Sequence, residues 1–365
     1  MIVMYIGGGI VYIILDVLIG VAAEKRGRSK IGWFLLSFFS TPAVAGVVLL
    51  VLGGDGKNNK VKTYSIERKQ ARYGFAFTIP CLVFFAMFSF YPIINAFVTS
   101  MTNRRAVGRT WDFTGFENYV YLFTKGNGGY SLLNSLRATG EFTLGCFIPM
   151  VVISLLLSVL IMQLRKPGQK KFFELSYYIP AVLSSVVAAT IWRIMFQPTG
   201  LVNQLSNVFM FTSGRDYQWL TDNGMLVAST IIVYFWKYIG YFTILFITGL
   251  ASIPPTIYEA AIVDGSNRWH TFWKITLPLL KPTVMLVSIM AMLQCLKTFS
   301  TQFMFVKGGT VRHPIDVITM NIYYTGIENG YLGRASAMSI VLFFIMLAFT
   351  YLQFAAQKGG DDVEY

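Results

Sequence analysis

The sequence predicts an all-α membrane protein whose chain crosses the bilayer about eight times. Three observations favour this fold class: 55% of the residues are hydrophobic, only 13% are charged, and the mean hydropathy is +0.57. Soluble domains carry about 25% charged residues. We therefore expect most of the chain to lie in lipid, where a helix keeps its backbone hydrogen bonds within one segment.

Several apolar stretches approach the roughly 20 residues that a helix needs to cross the hydrocarbon core. They are residues 2–23, 31–52, 75–98, 139–163, 176–197, 225–250, 283–305 and 335–355. These stretches are long, contain glycine and lack the alternating pattern of barrel strands, so we predict membrane-spanning helices.

The domain organisation follows from a break in composition after the second apolar stretch. Residues 1–52 form a hydrophobic N-terminal hairpin, and residues 53–73 form a cytoplasmic linker that begins with glycine, asparagine and lysine. Such residues are typical of turns and linkers. Residues 74–357 then hold a six-span core, and residues 358–365 form a cytoplasmic tail.

The net charge of +13 comes largely from lysine and arginine in the connections between apolar stretches. That placement indicates membrane orientation rather than nucleic-acid binding. The bias towards one side predicts that 53–73, 164–175, 251–282 and the tail are cytoplasmic. The first hairpin disagrees, because strict alternation places its basic loop at residues 24–30 outside. Residues 31–52, which contain Pro42, either span fully, which we favour, or dip into the membrane and return to the cytoplasm.

The most informative stretch is residues 252–282, which connects two spans on the basic side. Pro254 and Pro255 predict a helix start. Proline lacks the backbone N–H, but at the first helical position that N–H would have no partner within the helix. Asp264 followed by Gly265 predicts the end of that helix.

A second short helix should follow, capped by Ser266 or Asn267 and ending before Pro278. The result is a helix–turn–helix elbow, defined here as residues 252–282. Within it, small residues permit close approach by a partner and larger apolar side chains can fill grooves. The small residues are Ala260 and Ala261; the larger ones are Ile257, Tyr258, Trp269 and Phe272.

The elbow resembles the EAA motif of importer permeases in the ATP-binding-cassette (ABC) superfamily. The matching positions are Glu259, Ala260, Ala261, Gly265, Ile275, Leu277 and Pro278, with Asp264 preceding the glycine. The resemblance implies that the elbow is a coupling helix that docks into a cleft of a separate ATPase subunit.

Further matches resemble the carbohydrate branch of these permeases, the maltose and oligosaccharide type, and together cover about residues 75–355. They are Phe90-Tyr91-Pro92, residues 114–119, Tyr178-Ile179-Pro180, Trp192-Arg193, residues 219–222, Trp236-Lys237 and Gly308-Gly309. Two features depart from the family pattern. Residues 310–314 lack the Gly-Pro ending expected after the paired glycines, and the N-terminal hairpin is additional to the basic six spans, although maltose-type permeases also carry extra N-terminal spans.

The resemblance implies a multi-pass permease domain in a bacterial or archaeal cytoplasmic membrane, and a chain that is not an enzyme. The implied partners are ABC ATPase subunits, a second homologous permease, an extracytoplasmic solute-binding protein, a carbohydrate substrate and the lipid bilayer. We expect no cofactor or metal in this chain and no nucleic acid; ATP is used by the partner ATPase. Indeed, no phosphate-binding loop is visible in the sequence.

A polar stripe inside the seventh apolar stretch is the candidate substrate pathway. Gln294, Lys297, Thr298 and Thr301 are spaced by three and four residues, which predicts one helix face. Sugar hydroxyls require such donors and acceptors. Trp236, Tyr238 and Tyr241 can add aromatic surfaces. The alternative interpretation, hydrogen bonding between helices, stays equally open.

Other functions fit the sequence less well. A secondary transporter needs acidic residues near the membrane midplane and no elbow. A membrane-embedded enzyme needs a convergent acid–base or metal set, and neither is visible in the sequence. The three cysteines lie in apolar segments and are expected to be small packing residues. Within the family, glycerol phosphate or another polyol is an alternative substrate, and the particular sugar is not specified by the sequence.

Overall fold

The computed structural model describes residues 66–108, 111–124, 131–209 and 217–358. The predicted N-terminal hairpin, the linker up to residue 65 and the tail beyond residue 358 lie outside the described residues. Whether residues 31–52 span or return therefore stays a prediction.

The described residues fold into helices joined by short connections. In chain order they are α1 (Ile66–Phe85), α2 (Tyr91–Ser100), α3 (Glu117–Thr124), α4 (Leu132–Met162), α5 (Pro167–Val182), α6 (Ser185–Met195), α7 (Leu201–Phe209), α8 (Asn223–Ala251), α9 (Pro255–Val263), α10 (Arg268–Thr271), α11 (Leu277–Leu279), α12 (Lys281–Leu296), α13 (Ser300–Lys307), α14 (Ile318–Tyr323) and α15 (Leu332–Lys358). Single π-helical turns lie at Ala86–Phe90, Phe272–Thr276 and Tyr324–Glu328, and a 3-10 turn lies at His313–Ile315.

Long apolar segments in the described part of the chain confirm the all-α, multi-pass class. Five are long and apolar enough to cross a membrane: Tyr73–Ser100, Leu132–Met162, Asn223–Ala251, Lys281–Lys307 and Leu332–Ala356. A sixth is obtained if α5 and α6 are counted as one bent span. The described part thereby accommodates the six spans predicted for the core.

The bend between α5 and α6 corrects the prediction of one straight helix over residues 176–197. The two helices meet at 98°. Leu183 adopts an extended conformation with ψ of 143°, which ends α5. The Ser184 side chain then starts α6 by accepting a hydrogen bond from the backbone N–H of Val187 at 3.2 Å. A serine cap inside an apolar run is the local signal for this break.

The chain divides into two compact units, Met1–Asn95 and Ala96–Tyr365. In the first unit, α1, the π-helical turn and the beginning of α2 continue one apolar helix. Cys81 in this unit is exposed and forms no disulfide.

In the second unit, α4, α8 and α12 pack around a core that includes Phe142, Phe242 and Phe246, all nearly inaccessible. Cys146 and Cys295 are buried in the same core as free thiols. Lipid tails are as apolar as these side chains, so helix association depends on close packing and on hydrogen bonds between helices.

Gly240 shows how close that packing is. A Cβ atom at this position of α8 would lie 1.9 Å from the carbonyl oxygen of Tyr177 on α5. Only glycine lets the two backbones approach this far. Nearby, the Ser154 hydroxyl of α4 donates to the carbonyl of Ile239 at 3.2 Å, which ties a third helix to the same place.

A buried polar network joins the start of α4 to the connection before α14. The Asp316 carboxylate is fully buried and accepts hydrogen bonds from Arg312 Nε at 2.8 Å and from the second guanidinium nitrogen at 3.2 Å. The Ser135 hydroxyl donates to the same carboxylate at 3.4 Å, and Asn321 Nδ2 donates to Ser135 Oγ at 2.8 Å. Burial raises the pKa of Asp316, which lies outside the spans, and the Arg312 guanidinium partly offsets that rise.

Candidate functional site

The elbow forms the predicted helix–turn–helix. Its first helix, α9, begins with Pro254 as the N-cap and Pro255 at the first helical position. It ends at Val263 with Asp264 as the C-cap, after which the Gly265 N–H donates to the Ile262 carbonyl at 3.1 Å and the Ser266 N–H donates to the Ala261 carbonyl at 2.9 Å. This pair of hydrogen bonds is a Schellman motif.

Gly265 is the residue that this motif requires. Its φ is +74°, in the left-handed region that side chains with a β-carbon disfavour. The space around it is open, since a Cβ atom there would meet nothing within 4 Å. The need for glycine at the bend therefore comes from backbone conformation and not from crowding.

The second arm of the elbow begins with the cap predicted for it. Asn267 Oδ1 accepts a hydrogen bond from the His270 N–H at 2.7 Å and starts α10. The Ser266 and Thr271 hydroxyls lie 2.9 Å apart, and they bring the bend and α10 together. The chain continues through the π-helical turn Phe272–Thr276 and α11 into the next span.

The inner face of the elbow anchors it to the rest of the second unit. Ile257 and Tyr258 pack against a small core cluster that contains Leu250 and Leu280, and Ala261 is buried. The Thr276 hydroxyl of the second arm donates to Tyr258 at 3.4 Å. Ile257, Tyr258 and Ala261 were predicted to face a partner, but in this structure they face their own chain.

The outer face of the elbow carries a different set of residues. Glu259 and Ala260 are exposed, as predicted for residues that meet a partner. Ile262 is 73% exposed, Val263 is 87% exposed and Trp269 is 72% exposed. Large apolar side chains at this exposure indicate a contact surface when they cluster.

Ile262 and Val263 were not singled out from the sequence, although helical spacing carries the signal. Residues three and four apart share a helix face, so Glu259, Ile262 and Val263 must lie together once Tyr258 and Ala261 face inward. At the far end of the elbow, Ile275 and Leu277 are half-buried and Pro278 is exposed.

The second candidate site is a cavity of about 410 Å³, here called the central cavity. It brings together five of the residues predicted for the pathway, Gln294, Lys297, Thr298, Thr301 and the aromatic Tyr238. The complete lining is Ser185, Tyr234, Tyr238, Met290, Leu293, Gln294, Lys297, Thr298, Phe299, Ser300 and Thr301.

Gln294, Lys297, Thr298 and Thr301 were predicted to share one continuous helix face, but the helix is broken between them. Helix α12 ends at Leu296, Lys297 is its C-cap, and α13 starts only at Ser300. The carbonyl of Thr298, inside the break, accepts a hydrogen bond from the Thr319 hydroxyl. A discontinuous helix exposes backbone groups inside a membrane protein, which is tolerated where the break lines a cavity.

Two predicted pathway residues lie outside the cavity lining. The Trp236 ring packs edge-on against Trp192 at 5.5 Å, and the Tyr241 ring packs against Phe242 at 5.1 Å. The third predicted aromatic residue, Tyr238, does line the cavity, and Tyr234, four residues earlier on α8, adds a second aromatic ring. Tyr234 also donates from its hydroxyl to the Gln294 carbonyl at 2.8 Å, which joins α8 to α12.

Comparison with known proteins places this arrangement in context. Residues 136–358 match a protein family described as binding-protein-dependent transport system inner membrane component. The multiple sugar-binding transport system permease protein MsmF of Streptococcus mutans serotype c is 30% identical over 290 residues, which are 78% of this chain and 95% of that protein.

Two further similarities involve other named substrates. The sn-glycerol-3-phosphate transport system permease protein UgpA of Agrobacterium fabrum is 26% identical over 275 residues, 75% of this chain and 91% of that protein. A crystal structure of a bacterial alginate ABC transporter with a pentasaccharide-bound periplasmic protein contains a chain with TM-score 0.65 and 22% identity, which covers 80% of this chain and 96% of that one. This last likeness concerns the fold.

Proposed function

Because the chain belongs to the family of binding-protein-dependent transport system inner membrane components, we propose that it is the permease subunit of an ATP-driven carbohydrate importer. It would form one part of the translocation path in a bacterial or archaeal cytoplasmic membrane. The substrate assignment is supported by the sugar named for the Streptococcus mutans relative.

The exposed face of the elbow is the single observation that carries this proposal. Ile262, Val263 and Trp269 expose large apolar surfaces beside the charged side chain of Glu259. Such a face is costly in water and fits a cleft of a partner that offers apolar contact and a group to pair with the carboxylate. In an importer, that partner is the ATPase.

The proposed assembly contains two ATPase subunits, a second homologous permease and an extracytoplasmic solute-binding protein. In this proposal ATP binds to the ATPases and not to this chain. Closure of the ATPases on ATP moves the elbow, and the anchor formed by Ile257 and Tyr258 passes that movement to α8 and α12. The central cavity lies between these helices and changes its access accordingly.

A polyol phosphate is a second candidate substrate within the same family. The similarity to the glycerol-phosphate permease of Agrobacterium fabrum favours it. Both substrates carry hydroxyl groups that the tyrosine, threonine and serine side chains of the central cavity can bind.

The proposal is tested by coexpressing the chain with its ATPase and partner permease and measuring copurification, ATP hydrolysis and uptake into vesicles. Glu259→Lys and Val263→Asp should each release the ATPase and abolish uptake. The control is Val311→Asp, because Val311 is also exposed but lies in the connection after α13, away from the elbow. Uptake by the isolated chain driven by an ion gradient, or normal ATPase binding in both elbow variants, would contradict the proposal.

A further inference from the structure

Lys237, in the middle of α8, is a buried cation. Only 5% of its surface is exposed. The ammonium nitrogen donates to Ser185 Oγ at 3.1 Å and to the Tyr238 hydroxyl at 3.3 Å, and it lies 4.7 Å from the centre of the Tyr238 ring. None of the ion pairs in the described part of the chain involves Lys237. A buried charge without a counter-charge is unfavourable, and inside a membrane it indicates a function.

Both contacts of Lys237 belong to the wall of the central cavity. Ser185 and Tyr238 line the cavity, so one hydroxyl separates the buried ammonium group from the cavity space. The positive charge is therefore close enough to act on whatever occupies the cavity, in a region where protein and lipid screen it weakly.

A second cation lines the same cavity directly. Lys297 is exposed and lies at the break between α12 and α13. Among the described residues, neither an aspartate nor a glutamate lines the cavity. Next to Lys297, the Thr298 hydroxyl donates to Gln302 Oε1 at 3.0 Å, while the buried Nε2 of Gln302 has no acceptor among the described residues. One cation, Lys297, therefore lies in the cavity wall and a second, Lys237, lies directly behind it, with no carboxylate among the described residues that line the cavity.

We propose that the central cavity selects a negatively charged group on its substrate: the carboxylate of a uronate-containing saccharide or the phosphate of a polyol phosphate. This inference rests on the proposed function. Lys297 contacts the anion directly. Lys237 is a positioning residue, which orients the hydroxyls of Ser185 and Tyr238 towards the anion and adds its own field. The anion in turn supplies the counter-charge that the buried ammonium group lacks.

The test uses the assembled transporter in nanodiscs without its solute-binding protein, so that the selectivity of that protein does not enter. Thermal stability is measured against concentration for two matched pairs: trigalacturonate with its neutral methyl ester, and sn-glycerol 3-phosphate with glycerol. We expect the charged member of at least one pair to stabilise the complex at tenfold or more lower concentration than its neutral counterpart. The pair that responds distinguishes carboxylate from phosphate.

Three variants and one control variant complete the experiment. Lys297→Gln and Lys237→Met should each raise the half-saturating concentration of the charged probe at least tenfold, and Lys297→Arg should restore most of the binding. Lys237→Met should leave the melting temperature without ligand unchanged or higher, whereas a merely structural lysine would lower it. Lys307→Gln is the control, because Lys307 lies outside the cavity lining and pairs with Glu328 at 3.4 Å.

Two results separate failure of this inference from failure of the proposed function. Equal stabilisation by charged and neutral probes, with no effect of either lysine variant, overturns anion selection and leaves carbohydrate import in place. Absence of ATP-dependent uptake for charged and neutral saccharides alike, in vesicles supplied with the solute-binding protein, overturns both.

Discussion

The Thr276 hydroxyl of the second elbow arm lies 3.4 Å from the phenolic oxygen of Tyr258 on the first arm, although the two residues are 18 positions apart in the sequence. The Tyr258 ring also packs into the cluster that anchors the elbow to Leu250 and Leu280. One side chain therefore joins the two arms to each other and the elbow to the spans behind it. The coupling to an ATPase proposed above requires a rigid connection of this kind.

Tyr258→Ala should uncouple ATP hydrolysis from uptake while the chain still inserts and assembles. Replacing a fully buried aromatic residue by alanine lowers the free energy of unfolding by roughly 3–5 kcal/mol. Tyr258 is half-buried, so we expect a loss of about 2 kcal/mol. Tyr258→Phe keeps the ring and loses only the hydroxyl contact, worth about 1 kcal/mol or less. The measurement is substrate taken up per ATP hydrolysed. Equal ratios for the alanine variant and the wild type would show that the anchor is dispensable.

Gly265→Val should reduce uptake by changing the angle between the elbow arms. Apart from its chain neighbours, no described residue comes within 4 Å of a Cβ atom at this position, so the cost arises from the positive φ and amounts to about 1–2 kcal/mol. Gly265→Asn is the matched control, since asparagine tolerates the left-handed region far better than valine. Uptake and ATPase copurification are measured for both variants. An asparagine variant as defective as the valine variant would point to close contact with the partner rather than to the bend.

Gly240→Ala should destabilise the helix bundle, because the new methyl group would lie 1.9 Å from the Tyr177 carbonyl oxygen. Overpacking commonly costs about 1–3 kcal/mol, and a clash with backbone places this site at the upper end. Gly140→Ala in α4 is the control, since nothing lies within 4 Å of its Cβ position. Thermal unfolding of the purified complex should show a lower midpoint for Gly240→Ala only. Equal midpoints would mean that α5 moves away from α8 at little cost.

The elbow was predictable from sequence because local residues specify it. Proline at the start of α9, glycine at its end and asparagine before α10 act within a few residues of their own position. The direction in which each side chain points was harder to infer. The inward packing of Ile257 and Tyr258 depends on where α8 and α12 lie, and that is a tertiary property.

The central cavity was predictable only in part for the same reason. Polar side chains in an apolar run identified Gln294, Lys297, Thr298 and Thr301, but no glycine or proline announces the break before Ser300. The hydrogen bond from the Thr319 hydroxyl to the Thr298 carbonyl stabilises that break from outside the segment. Ser185 joins the cavity because the chain bends sharply before α6, which the pattern of one long apolar stretch concealed.

The buried carboxylate of Asp316 should make the folded protein less stable as the pH rises. Burial raises its pKa above the ordinary value of about 3.9, so the folded state binds this proton more tightly than the unfolded state. The resulting contribution to stability is fully present below the unfolded pKa and is lost as pH rises through the folded pKa. Asp316→Asn removes that titration and keeps the shape of the side chain.

The difference in melting temperature, wild type minus Asp316→Asn, should therefore be larger at about pH 4.5 than at about pH 7.5. Both proteins are measured in the same detergent or nanodisc at both pH values, so other titrating groups cancel in the difference. Glu328→Gln is the control, because Glu328 is a partly exposed carboxylate whose loss should change the difference little. The opposite sign would mean that the two hydrogen bonds from Arg312, at 2.8 and 3.2 Å, outweigh burial and hold the carboxylate ionised.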